Sequence, residues 1–117
     1  MNIQALKEKS SQASQLLKSL ANDKRLLILC YLSESERSVG ELERLVDLSQ
    51  SALSQHLARL RRDNLVQTRR DAQTIYYTIA SAEAGAVLQT LHDLYCVDEA
   101  SVAQVPAKAN RQSASGA

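Results

Sequence analysis

The 117-residue chain has no phenylalanine and no tryptophan, and its only aromatic residues are four tyrosines. A core built from it must rest on Leu, Ile, Val and Ala, which suits packed helices. Three glycines and one proline are too few for the repeated tight turns of an extensive β-meander. No apolar run approaches the roughly 20 residues that cross a bilayer. The opening MNIQALKEKSSQ lacks the basic start and apolar middle of a secretion signal, so a cytoplasmic protein is expected. There is no C-x-x-C motif, and with it goes the usual signature of a thiol oxidoreductase. The chain is therefore read as a non-enzyme. Its length fits one domain with a modest core, and it has no internal repeat.

The net charge of +1 argues for nothing, but its distribution does. From Arg59 to Arg70 there are five arginines against one acid, Asp63, a local +4 that leaves −3 for the rest of the chain. One basic patch on a slightly acidic body points to an anionic partner at one place. A merely solvated charged face is the plainer alternative.

Periodicity and caps divide the chain into elements. Ile3, Leu6, Ala13, Leu17 and Leu20 fit one face of a first helix. Asn22 is a suitable N-cap for a central helix from Asp23 to about Ser33, whose Leu26–Leu32 run predicts burial. Ser38 and Glu41 form a capping-box pattern ahead of VGELERLVD. Ser49 caps a further helix from Gln50 to about Asp63, after a tight turn at 47–49, and Asn64 suits a left-handed end. Leu65 to Arg70 and Thr74 to Ala80 read as a β-hairpin around Asp71, Ala72 and Gln73. Ser81 caps a last helix with an apolar stripe of Val87, Leu88, Leu91, Leu94 and Tyr95. Residues 1–97 thus form one folded unit, and 98–117, rich in Ala, Ser and Gln, read as a mostly disordered tail. Two short helices followed at once by a hairpin make a mainly α winged helix-turn-helix.

On a wheel of 100° per residue, the helix after Ser49 turns Leu53, Leu57 and Leu60 inward. Ser51, Gln55, Ala58 and Arg62 project the other way, with Ser54 and Arg59 on the flanks and His56 nearer the buried edge. Small polar side chains at the helix start, then cations, suit a helix entering the major groove of duplex DNA. Gln55 can pair with adenine, while Ser49, Gln50, Ser51 and Ser54 can meet bases or phosphates. Arg59 and Arg62 suit phosphates. Arg69, Arg70 and Gln73 extend the surface along the hairpin. His56 is counted with this DNA-binding surface, as a hydrogen-bonding residue and not as a metal ligand.

The stretches SLANDKRLLILCYL and SVGELERLVDLSQSALSQHLARLRRDNLVQTRRDAQTIYYTI resemble the ArsR family of bacterial winged-helix repressors across residues 19 to 96. LSQSALSQHLARLR is the most specific part. The resemblance implies a homodimer built on the first and last helices, a palindromic operator and release from DNA by an inducer. The wing tip departs from the family, with Asp71-Ala72 where glycine is more usual.

Many relatives sense metals. Here the Gly40–Asp47 helix carries no cysteine, and His92, Asp93, Asp98 and Glu99 lack the spacing of a zinc sensor, so no metal or other cofactor is expected. Cys30 and Cys96 remain, and two distant cysteines often only fill a core. LILCYL together with HDLYC, however, resembles the persulfide-responsive branch of the family, which implies that Cys30 and Cys96 are its redox-sensing pair and reactive sulfur its inducer. A general thiol-redox or metal-responsive regulator, and an anti-repressor with the same residues, stay open as alternatives.

Overall fold

The computed structural model describes residues 1–96, and the tail expected over 98–117 lies outside the described residues. The chain divides into two units, Met1–Ala86 and Val87–Ala117. The elements run α1 (Ile3–Leu20), α2 (Asp23–Glu34), β1 (Arg37–Ser38), α3 (Val39–Val46), α4 (Gln50–Arg62), β2 (Val66–Asp71), β3 (Thr74–Ile79) and α5 (Ala82–Tyr95). Helix α5 starts in the first unit, and its remainder is what is described of the second.

Caps set the helix boundaries. Asn22 accepts hydrogen bonds from the Lys24 and Arg25 amides at 3.0 Å each and starts α2. Ser38 and Glu41 complete a reciprocal capping box at the start of α3, satisfying two otherwise orphaned amides. Asp47 then takes a left-handed φ of 53° and closes α3. The end of α4 is a full Schellman motif. Leu65 N–H reaches back to Leu60 O at 2.9 Å and Asn64 N–H to Arg61 O at 3.0 Å, made possible by the φ of 61° at Asn64.

The core of the first unit joins Leu20, Ile28, Leu29, Leu32, Leu42, Val46, Leu53, Leu57, Leu60, Leu65 and Val66, all buried. They come from α1, three positions of α2, two of α3, three of α4, and the start of the hairpin, so several elements together fill an aliphatic core without large aromatics.

Three features differ from the expectation. A third strand, β1, joins the hairpin to give an antiparallel sheet of order β1-β3-β2. It has only two residues, too few for any alternation, and Ser38 serves both it and the α3 cap. The wing turn is also tighter: Asp71 pairs with Thr74, leaving a two-residue turn in which Ala72 adopts a φ of 58°. Positive φ at the first central residue only is the type II′ pattern, where glycine is the usual choice, so alanine here is a local strain of about 1 kcal/mol. Finally, α2 is not buried all round. Seven apolar residues at 100° steps circle the helix almost twice, so Leu27 and Cys30 face outward while Ile28, Leu29 and Leu32 face in.

Helix α1 keeps Ser19 and Leu20 buried but leaves Ile3, Leu6 and Leu17 exposed. It has more apolar surface than its own core uses.

Candidate nucleic-acid interface

Helix α4 presents two faces. Leu53, Leu57 and Leu60 are buried, whereas Ser49, Gln50, Ser51, Ser54, Gln55, Ala58 and Arg62 are exposed and His56 and Arg59 half-buried. The Ser49 hydroxyl accepts from the Ala52 amide at 3.2 Å, so it is occupied as a cap, while Gln55 stands free at the centre of the polar face. Burial, and then the Arg25 charge, lower the His56 pKa, with Asp23 acting the other way. That favours neutral imidazole, a hydrogen-bonding group.

The five arginines expected to form one cationic patch are not equivalent. Asp63, at the C-terminus of α4, gathers two of them: Arg59 Nε lies 3.5 Å and Arg62 Nε 3.6 Å from its carboxylate. Arg59 Nε is buried and makes no hydrogen bond within normal geometry, and it faces Asp63 as an ion pair. Arg62, with 70% of its side chain exposed, can still turn outward.

Arg69 on β2 is held more firmly. Its Nε and its NH2 nitrogen donate to the two oxygens of Glu36 at 2.9 and 2.7 Å. Its guanidinium also lies over the Tyr76 ring, 4.6 Å from the centroid, and 3.9 Å from Asp71. The hydrogen bond from Arg69 holds the Glu36 carboxyl below its ordinary pKa, and the same bond raises that of Arg69. Among the described residues, Arg61 and Arg70 alone in the cluster have no ion pair. Gln73 is exposed at the wing tip.

Arg61 is a residue the wheel reading passed over. With Ser54, Ala58, Arg62 and Tyr77 it lines a cleft of about 400 Å³ between α4 and the sheet. The signal was present, because Ser54, Ala58 and Arg61 follow i, i+4, i+7 and share a stripe.

Cys30 belongs to the first unit and Cys96 to the second, and both are exposed. The plainer alternative, that the two cysteines only fill a core, does not fit this exposure; at Cys30 the long apolar run had hidden which face of α2 is outward. Among the described residues, no three His, Cys, Asp or Glu side chains are grouped to hold a metal ion, and no helix is long and apolar enough to cross a membrane.

A small-residue helix face between a capped turn and a three-stranded wing defines a winged helix-turn-helix DNA-binding protein. The sequence pattern of "Bacterial regulatory protein, arsR family" matches residues 22–68. The chain is 56% identical over 96 residues to the transcriptional activator HlyU of Vibrio cholerae, covering 82% of this chain and 89% of that protein. The structure of reduced HlyU from the same organism superposes with a TM-score of 0.76 at 55% identity, over 80% of this chain and 99% of that one. The transcriptional repressor BigR of Xylella fastidiosa gives a TM-score of 0.79 at 35% identity, over 84% and 100%. A homodimeric winged helix-turn-helix domain from Mycobacterium bovis gives 0.66 at 28% identity, over 72% and 78%. The chain belongs to the arsR family and is a DNA-binding transcriptional regulator.

Proposed function

We propose that the chain is a homodimeric repressor whose two cysteines sense reactive sulfur and release operator DNA. The observation that carries the sensing half is the exposure of both Cys30 and Cys96, since packing calls for burial and chemistry calls for access. That HlyU has been described in a reduced state is in keeping with a thiol switch. Dimerisation through the first and last helices accounts for the exposed Ile3, Leu6 and Leu17 of α1 and Leu94 and Tyr95 of α5. It also matches the homodimeric relative. Two α4 helices then read the half-sites of a palindrome about 34–36 Å apart.

The switch needs no outside oxidant beyond the persulfide itself. One cysteine thiolate attacks the sulfane sulfur of a persulfide and releases the parent thiol, leaving a protein persulfide. The second thiolate attacks the inner sulfur and expels hydrosulfide, forming the bridge. If the protein persulfide takes a second sulfane sulfur first, the bridge is one sulfur longer and spans a wider gap than a direct disulfide allows.

On the DNA, Gln55 reads a base and Ser51 and Ser54 support it. Arg61 and Arg70, the arginines without internal partners, contact phosphates, with Arg62 turning out to join them. Gln55→Ala is expected to cost about 1–3 kcal/mol of specific binding per contact and to spare non-specific binding. A competition titration of operator against unrelated duplex tests this, and equal losses on both would remove Gln55 from base reading. Arg70→Gln should flatten the log–log salt dependence by about 0.9 per phosphate, so about 1.8 in a dimer. An unchanged slope would take the wing off the DNA. The relative HlyU is named an activator, which favours a second reading in which the same residues displace another DNA-bound protein. A promoter fusion in cells lacking other regulators separates repression from displacement.

A further inference from the structure

Arg69 should belong to the DNA-facing charge of the wing, yet although 53% of its side chain is exposed its guanidinium is already paired within the protein. Glu36, in the segment between α2 and β1, takes both ends of its guanidinium at 2.7 and 2.9 Å. Tyr76, its cross-strand partner on β3, stacks beneath it, and Asp71 closes a third side at 3.9 Å. Bidentate pairing with a planar carboxylate and stacking on an aromatic face together use the geometry by which arginine binds phosphate. The group is thus already engaged in the way a phosphate would engage it. With Arg70 counted beside Arg69, Glu36 and Asp71, the wing offers DNA no net positive charge.

We propose that Glu36 is a positioning residue that masks Arg69 from the DNA backbone and so limits sequence-independent binding by the wing. The proposal rests on the DNA-binding reading above, and goes beyond it by giving an acidic residue outside the recognition helix control over how many phosphates are neutralised. The masking is local. Glu36 sits on the α2–β1 connection and the bridge ties the wing strand β2 to it, so Arg69 cannot swing outward without losing two charge-assisted hydrogen bonds and its aromatic seat.

The test is a salt titration of binding to an unrelated duplex by wild type, Glu36→Gln, Arg69→Gln and the double variant. Glutamine keeps the size of Glu36 at a partly exposed site, so the fold is not at risk. Releasing Arg69 in both subunits should steepen the slope of Glu36→Gln by about 1.8. That is about 12-fold more affinity lost between 50 and 200 mM salt. Arg69→Gln alone should leave the wild-type slope unchanged, while in the Glu36→Gln background it should return the slope to wild type. A brace that merely stiffened the wing would weaken Glu36→Gln without steepening it, and that result overturns the proposal. So does a flattened slope in Arg69→Gln alone. Arg70→Gln, run alongside, must flatten the slope; if it does while Glu36→Gln fails to steepen it, only the masking is wrong. If wild type shows no salt-dependent binding at all, the interface itself is wrong, and the masking with it.

Discussion

Cys30→Ser and Cys96→Ser are each expected to give a dimer that binds operator when reduced and keeps binding after persulfide treatment. Wild type should lose affinity by about 5- to 150-fold, the usual range of a coupling between two sites. The reasoning starts from position. Cys30 lies on the outward stripe of α2 with Leu27, and Cys96 follows the end of α5. Neither is among the residues of α4 and the wing proposed above to meet DNA, so neither substitution is expected to remove a contact. Because both residues are exposed, a serine hydroxyl has water to bond, and the stability change should stay within about 0.5 kcal/mol. Loss of response is then not confused with loss of fold. The measurement is a paired titration before and after persulfide with intact mass recorded: wild type should gain a reductant-sensitive bridge, and neither variant should. A variant that still leaves its operator normally would end the two-cysteine mechanism.

Much of the fold could be read from local chemistry. Asn22, Ser38 with Glu41, Ser49 and Asn64 each fix a helix end through bonds reaching only two to five residues, so their sequence neighbours contain the whole signal. The inward leucines of α4 follow from its 100° period alone. What could not be read depends on partners far along the chain. β1 exists because β3, about 40 residues later, offers Tyr76 and Tyr77 to pair with Ser38 and Arg37. Two residues carry no pattern of their own. The outward face of α2 was hidden because every position from Leu26 to Leu32 is apolar or nearly so. The state of the arginines was hidden for the same reason of distance. Arg69 meets Glu36 across 33 positions and Ser19 meets Asp63 across 44, and no spacing rule in a single sequence connects them. The count of +4 was right as arithmetic, and the structure redistributes it among paired and unpaired side chains.

Asp63→Ala should be the most destabilising change outside the leucine core, by about 2–4 kcal/mol. Asp63 ends α4, and its side chain is only 10% exposed. It accepts a hydrogen bond from Ser19, which is fully buried at the end of α1, and faces Arg59 and Arg62 at 3.5 and 3.6 Å. Truncation strands the Ser19 hydroxyl without its acceptor and leaves the buried Nε of Arg59 with no counter-charge. Arg25 feels it too: burial and then the Arg59 charge lower its pKa, and Asp63 offsets them. Arg25 in turn holds the α1–α2 corner, donating to Ser19 O at 2.7 Å and Lys18 O at 3.2 Å. At about 4–8 °C per kcal/mol for a domain of this size, the melting temperature should fall by at least about 8 °C. Ser19→Ala, which removes one hydroxyl and no charge, should cost about 1 kcal/mol. The pH dependence has a definite sign. The hydrogen bond from Ser19, and then the nearby arginines, hold the Asp63 carboxyl below its ordinary value. Its contribution is therefore complete above the unfolded pKa of about 3.9 and is lost as the pH falls through the lower folded value. Glu36 and Glu41 are depressed in the same way, so wild type alone cannot isolate the effect. The difference between wild type and Asp63→Asn can: their melting temperatures should differ most at neutral pH and converge below about pH 4. A gap that persists unchanged to pH 2 would mean that Asp63 acts through shape and not through charge.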